Sequence, residues 1–140
     1  MKIAIFAKTM ESMINDLADC ESIITYMNDN QIPLTVRLKP WRNTILHKAA
    51  YAGHISLITY LKSLNFDFNV KDDLGQTALY VCKDLNTVKC IVECGGDINQ
   101  VDDRGVTAIC NYIEWGMTDV VSYLKELGVG ENLNDWEIKE

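Results

Sequence analysis

The segment Asp72-Asp73-Leu74-Gly75-Gln76-Thr77-Ala78-Leu79 recurs thirty residues later as Asp102-Asp103-Arg104-Gly105-Val106-Thr107-Ala108-Ile109. This self-similarity constrains the chain more than any other feature, because a fixed period means stacked units rather than one closed core. Asn43-Thr44-Ile45-Leu46 stands ahead of this series, its threonine thirty-three residues before Thr77. A second block keeps phase with the first: Leu57-Ile58-Thr59-Tyr60-Leu61 and Val120-Val121-Ser122-Tyr123-Leu124 are separated as Thr44 and Thr107 are, and Ile23-Ile24-Thr25-Tyr26-Met27 precedes Leu57 by thirty-four. The 140 residues are expected to form a single domain of about four units: a degenerate 9–38, then 39–71, 72–101 and 102–132, with 133–140 as a tail.

Each unit reads as turn, helix, short turn, helix. In Asp-x-x-Gly the carboxylate accepts from nearby backbone N–H groups and the glycine supplies an unstrained left-handed position, so the segment makes a tight turn. The threonine that follows is a natural N-cap. A first helix is predicted from Thr44 to a stop at Gly53, and its counterpart from Thr107 to Gly116, both glycines standing where a left-handed C-cap belongs. The second helix carries apolar residues at helical spacing, namely Leu57, Ile58 and Leu61; Val88, Ile91 and Val92; Val120, Val121 and Leu124. It closes at Asn65, Gly95 or Gly128, and Asp67-Phe68-Asn69 and Asp97-Ile98-Asn99 lead on to the next turn.

Thr44-Ile45-Leu46-His47-Lys48-Ala49-Ala50-Tyr51-Ala52-Gly53-His54 resembles the ankyrin repeat family, whose Thr-Pro-Leu-His-x-Ala-Ala-x-x-Gly-His pattern it matches except at the proline. The resemblance covers residues 9 to 132. It implies an all-α fold, a solenoid of stacked helix-turn-helix units with projecting turns, whose usual activity is protein binding. It also implies that His47 ties its turn together by hydrogen bonds and that His54 is structural.

Departures from the pattern are as informative as matches. The unit from 72 lacks three residues between Thr77 and Thr87, so Lys83-Asp84-Leu85-Asn86 must end its first helix early or tighten the inter-helix turn. Val81-Cys82 and Asn111-Tyr112 replace the paired Ala49-Ala50 with larger side chains, and stacking must adjust around them. Arg42 occupies a turn position that elsewhere holds glycine. At the N-terminal end, Glu11, Ser12, Asn15, Asp16 and Asp19 make the first helix polar on one side, as a terminal cap requires.

Composition limits the chemistry. With 20 acidic against 13 basic residues, a net charge of -7, the chain lacks the clustered Lys and Arg that a phosphate backbone demands. A basic or neutral protein partner fits better, and no nucleic acid is expected. No apolar run approaches the roughly 20 residues needed to cross a bilayer, so no membrane partner is expected and the chain is placed in the cytoplasm. The five cysteines, Cys20, Cys82, Cys90, Cys94 and Cys110, form an odd set with no C-x-x-C pair, and each reads as a small buried hydrophobe rather than part of a disulfide framework or metal site. The pairs Asp72-Asp73 and Asp102-Asp103 fall at turns and read as solvent-facing turn formers, not paired catalytic carboxylates. No catalytic residue, metal site or cofactor is expected. A metal-dependent enzyme built on the His47 region or the thiols is the most distant alternative.

Function is then expected on the surface the repeats leave free. The resemblance implies binding through turn tips and the concave face of each first helix, here Pro40, Trp41, Asn43, Tyr51 and Ala52; Asp73, Leu74 and Gln76; Asp103, Arg104, Val106, Glu114 and Trp115. Among these, Trp115, Trp41 and Tyr51 stand out because large rigid aromatic surfaces dominate interface energies. Asp73, Asp103 and Glu114 would give the groove an acidic rim. The reading is an interaction module, monomeric when free, that acts on one protein partner by occupancy as an inhibitor or adaptor. An immunity-type protein neutralising a basic toxin is the alternative. The tail, with Trp136 and Ile138, either folds back over the last helix pair or is captured by a partner.

Overall fold

A computed structural model of the chain describes residues 2–128. Its described elements are helices α1 (Lys2–Asn15), α2 (Cys20–Asp29), α3 (Ile45–Ala52) and α4 (Ile55–Ser63), a single 3-10 turn (Ala78–Tyr80), then α5 (Leu85–Glu93), α6 (Ala108–Glu114) and α7 (Thr118–Glu126). They pair in chain order, α1 with α2, α3 with α4, the 3-10 turn with α5, α6 with α7, and each pair packs on the next. This is the all-α stacked arrangement that the period predicts. Helix α1 starts at Lys2, ahead of residue 9 where the sequence pattern becomes legible. The tail 133–140, with Trp136 and Ile138, lies outside the described residues.

Local signals set the boundaries. Asp19, Thr44, His54 and Asp84 cap α2, α3, α4 and α5, each accepting a backbone N–H three residues on. Thr77 and Thr107 hold extended N-cap backbones but make no side-chain cap bond, and the Thr107 hydroxyl is buried without a partner. Both threonines hold the expected N-cap position, but without the side-chain bond. In the box at Thr44 the His47 ring accepts from the Thr44 N–H at 3.1 Å, and no such ring stands at the corresponding Tyr80 and Cys110. Left-handed residues end the elements where expected: Gly53 at φ 73°, Asn65 at 60°, Gly95 at 111°, Gly116 at 73° and Gly128 at 100°.

The core is one continuous apolar column through the stack. Ile23 and Met27 of α2, Leu57, Ile58 and Leu61 of α4, Val88 and Ile91 of α5, and Val120 and Leu124 of α7 are all buried, whereas Val92 and Val121 are only partly so. Ala49 and Ala50 are fully buried between α3 and its neighbours.

Turn tips are joined by backbone bonds: the Asp73 N–H donates to the Trp41 carbonyl at 2.8 Å and the Asp103 N–H to the Leu74 carbonyl at 3.1 Å. Gly75 is required here twice over. Its φ is 75°, and a Cβ on it would stand 2.8 Å from the Asp103 backbone nitrogen. Arg42 takes the equivalent left-handed position at φ 55° without being glycine, and its backbone carbonyl accepts from Arg37 at 3.0 Å. Asn69 also works between units, accepting from the Asp97 N–H at 2.7 Å and donating to the Gly95 carbonyl at 3.2 Å.

Candidate functional site

The concave side is built from the first helices and the turns before them, and one shortened element shapes it. Between Thr77 and Asp84 the three missing residues leave room for one 3-10 turn where α3 and α6 run as helices. A turn this short leaves backbone groups that a full helix would pair. Tyr112, fully buried on α6, supplies what is missing: its hydroxyl donates to the Leu79 carbonyl and accepts from the Cys82 N–H at 3.1 Å. The large side chain at the alanine-pair position is therefore the complement of the deletion. Burial drives the Tyr112 hydroxyl pKa far above its ordinary range and pushes the Cys82 thiol up to about 12, so both stay protonated.

Ties between turns follow the same register. His47 Nε2 donates to the Gln76 carbonyl at 2.8 Å, its tautomer fixed because Nδ1 accepts from the Thr44 N–H. Burial lowers the His47 pKa from its ordinary 6.5, with the Gln76 carbonyl pulling the other way. One unit on, Tyr80 stands where His47 did and its hydroxyl lies 2.6 Å from both the Val106 and Gln100 carbonyls, so a phenol replaces an imidazole in the same role. A side-chain relay runs in parallel: Asn43 donates to Asp72 at 3.2 Å and Gln76 to Asp102 at 3.3 Å.

Asp102 is the anchor of the last described turn. It accepts from the Arg104 and Val106 N–H groups and holds the Arg104 guanidinium at 3.0 and 2.7 Å, while the same guanidinium reaches Asn111 at 2.9 Å. Burial alone would raise the Asp102 pKa, but the Arg104 and Gln76 hydrogen bonds outweigh it and the carboxyl sits below its ordinary value. The expectation that both aspartates of each pair face solvent is thus corrected. Asp102 is buried and Asp72 half-buried, their carboxylates turned inward to tie the loop, and only Asp73 and Asp103 are exposed.

Two adjoining hollows occupy the concave side. The larger, about 690 Å³, lies over the 3-10 turn, with Tyr80, Val81 and Cys82 as its floor and Tyr51, Lys83, Arg104, Glu114, Trp115 and Met117 around it. The smaller, about 420 Å³, includes Pro40, Trp41, Asn43, Leu74 and Gln76. Tyr51, Gln76 and Val81 line both, joining them into one groove. Trp41, Tyr51 and Trp115 are 51%, 52% and 54% exposed along it. Trp115 meets Tyr112 edge-on at 5.6 Å between ring centroids, and Lys83 Nζ sits 3.8 Å over the Tyr51 ring.

Of the residues singled out from sequence, nine line this groove: Pro40, Trp41, Asn43, Tyr51, Leu74, Gln76, Arg104, Glu114 and Trp115. Asp73 and Asp103 stand at the turn tips beside it, Asp73 within 4.0 Å of Arg42, and Val106 is half-buried with its carbonyl facing Tyr80. Sequence reasoning missed Val81, Cys82, Lys83 and Met117. The three-residue shortfall is the signal that could have found the first three, since a helix cut short uncovers what lies beneath it. Among the described residues no group of three or more His, Cys, Asp or Glu could hold a metal ion, the cysteines are unpaired in disulfides, and no helix is long and apolar enough to cross a membrane.

Residues 46–92 match the family model described as ankyrin repeats (many copies). No curated protein matches the chain.

Proposed function

We propose, from the match of residues 46–92 to ankyrin repeats, which are generally protein–protein interaction modules, that the chain binds one protein partner through the concave groove and acts by occupancy, as an inhibitor or adaptor. The observation that carries this reading is the line of Trp41, Tyr51 and Trp115, each more than half exposed along one continuous groove. Large aromatic surfaces left open together mark binding sites, because solvent exposure of such area is unfavourable unless a partner covers it. The stack behind them is tied turn to turn by Asn43, His47, Gln76 and Tyr80, so the groove is preorganised and little ordering is required on binding. The net charge of -7 supports a second form of the same reading, in which the protein neutralises a basic partner such as a toxin.

Affinity capture from the native cell tests the proposal. The wild-type chain should retain a partner that the triple variant Trp41→Ala, Tyr51→Ala, Trp115→Ala loses while keeping its far-ultraviolet circular dichroism. Equal retention by both would reject the groove as the binding surface.

A further inference from the structure

The groove's charges are not equally available, and the difference identifies the partner's chemistry. Two of its cations are paired with carboxylates, Arg104 with Asp102 and Lys48 with Glu11 at 3.2 Å, while Lys83 lies over the Tyr51 ring and keeps its charge. Among the described residues no hydrogen bond or ion pair holds the carboxylate of Glu114 or of Asp103. Both residues are exposed, Glu114 on the groove wall directly before Trp115 and Asp103 at the turn tip beside it. The Glu114 carboxylate is therefore left for a partner, and it lines the same hollow as the open Trp115 indole. A carboxylate next to an aromatic ring suits a guanidinium or ammonium group, which gains from the ring quadrupole and the ion pair together. Lys83 over Tyr51 is the same contact made within the chain. Val81, Cys82 and Met117 offer apolar surface for the methylene stem that carries such a head group.

We propose that the groove over the 3-10 turn takes a basic segment of the partner, with an arginine or lysine head group on Trp115 and Glu114 and its stem along Val81 and Met117. This rests on the concave-groove reading above and adds to it the sign of the partner's charge.

Selection of a displayed library of random dodecapeptides on the folded full-length chain tests the proposal, followed by affinity measurements on the selected peptides. The expected result is enrichment of Arg and Lys flanked by apolar residues. Trp115→Ala and Glu114→Gln should each weaken the winners roughly threefold to thirtyfold, the span of one cation–π contact or charge-assisted bond, and added salt should weaken them further. Selected peptides that need Trp115 but show acidic residues or no charge preference, or that ignore Glu114→Gln, would overturn the basic-segment proposal and leave the groove reading standing. Peptides indifferent to Trp115, Tyr51 and Trp41 together, or no enrichment at all, would overturn both.

Discussion

The pair α3–α4 and the pair formed by the 3-10 turn with α5 solve one packing problem in two ways. In the first, two buried alanines let neighbouring helices approach, a Thr–His box closes the helix start and His47 reaches the next turn. In the second, the helix is reduced to one turn, Tyr80 reaches the next turn in place of histidine, and Tyr112 from the following helix fills the gap and pairs the stranded Leu79 and Cys82 backbone groups. The repeat conserves a set of hydrogen-bonding duties rather than a set of residue types. The shortened pair also shapes the concave side, since the space above its 3-10 turn is the larger part of the groove.

The comparison can be broken at its most dependent point. Tyr112→Ala should cost about 3–5 kcal/mol, the range for truncating a buried aromatic, read by urea denaturation; a loss below about 1 kcal/mol would mean that Tyr112 does not fill the gap. Leu61→Ala in the regular pair should cost about 2–5 kcal/mol through its cavity alone, and an effect under about 1 kcal/mol would contradict its place in the core. Tyr112→Phe keeps the packing and removes only the hydroxyl, so it isolates the backbone repair: about 1–3 kcal/mol is expected for leaving buried polar groups unpaired.

The smallest effect separates the two pairs by pH. Because burial holds the His47 imidazole below its ordinary 6.5, the unfolded chain takes up this proton more readily than the folded one. Stability from this residue is therefore whole above about pH 6.5 and is lost as pH falls toward and through the lower folded value. Tyr80, doing the same work, is pushed far above its ordinary 10 and changes no charge in that window. The difference in unfolding free energy between wild type and His47→Gln should narrow between about pH 7 and pH 5; a constant difference would show that His47 is not buried in its neutral form.

How much of this was legible in the sequence follows the reach of each signal. Thr44 to His54 could be read because its cap, alanine pair and terminal glycine act within one turn of the chain. The missing residues before Thr87 pointed, for the same reason, to an early helix end or a tightened inter-helix turn. The repair could not be read, because Tyr112 meets Leu79 across thirty-three residues and nothing local to either links them. The resemblance to ankyrin repeats put Trp41, Tyr51 and Trp115 among the expected binding residues without revealing that one groove joins them. That Thr77 and Thr107 cap without a side-chain bond, and that Asp102 turns inward, could not be read, because reciprocal bonding at a turn depends on the neighbouring unit.

The central claim is that the groove beside the shortened repeat is where a protein partner binds, and titration calorimetry with the captured partner tests it most directly. Trp115→Ala should weaken binding by about 2 kcal/mol or more with helical content unchanged. Unchanged affinity when Trp115, Tyr51 and Arg104 are all replaced would contradict it.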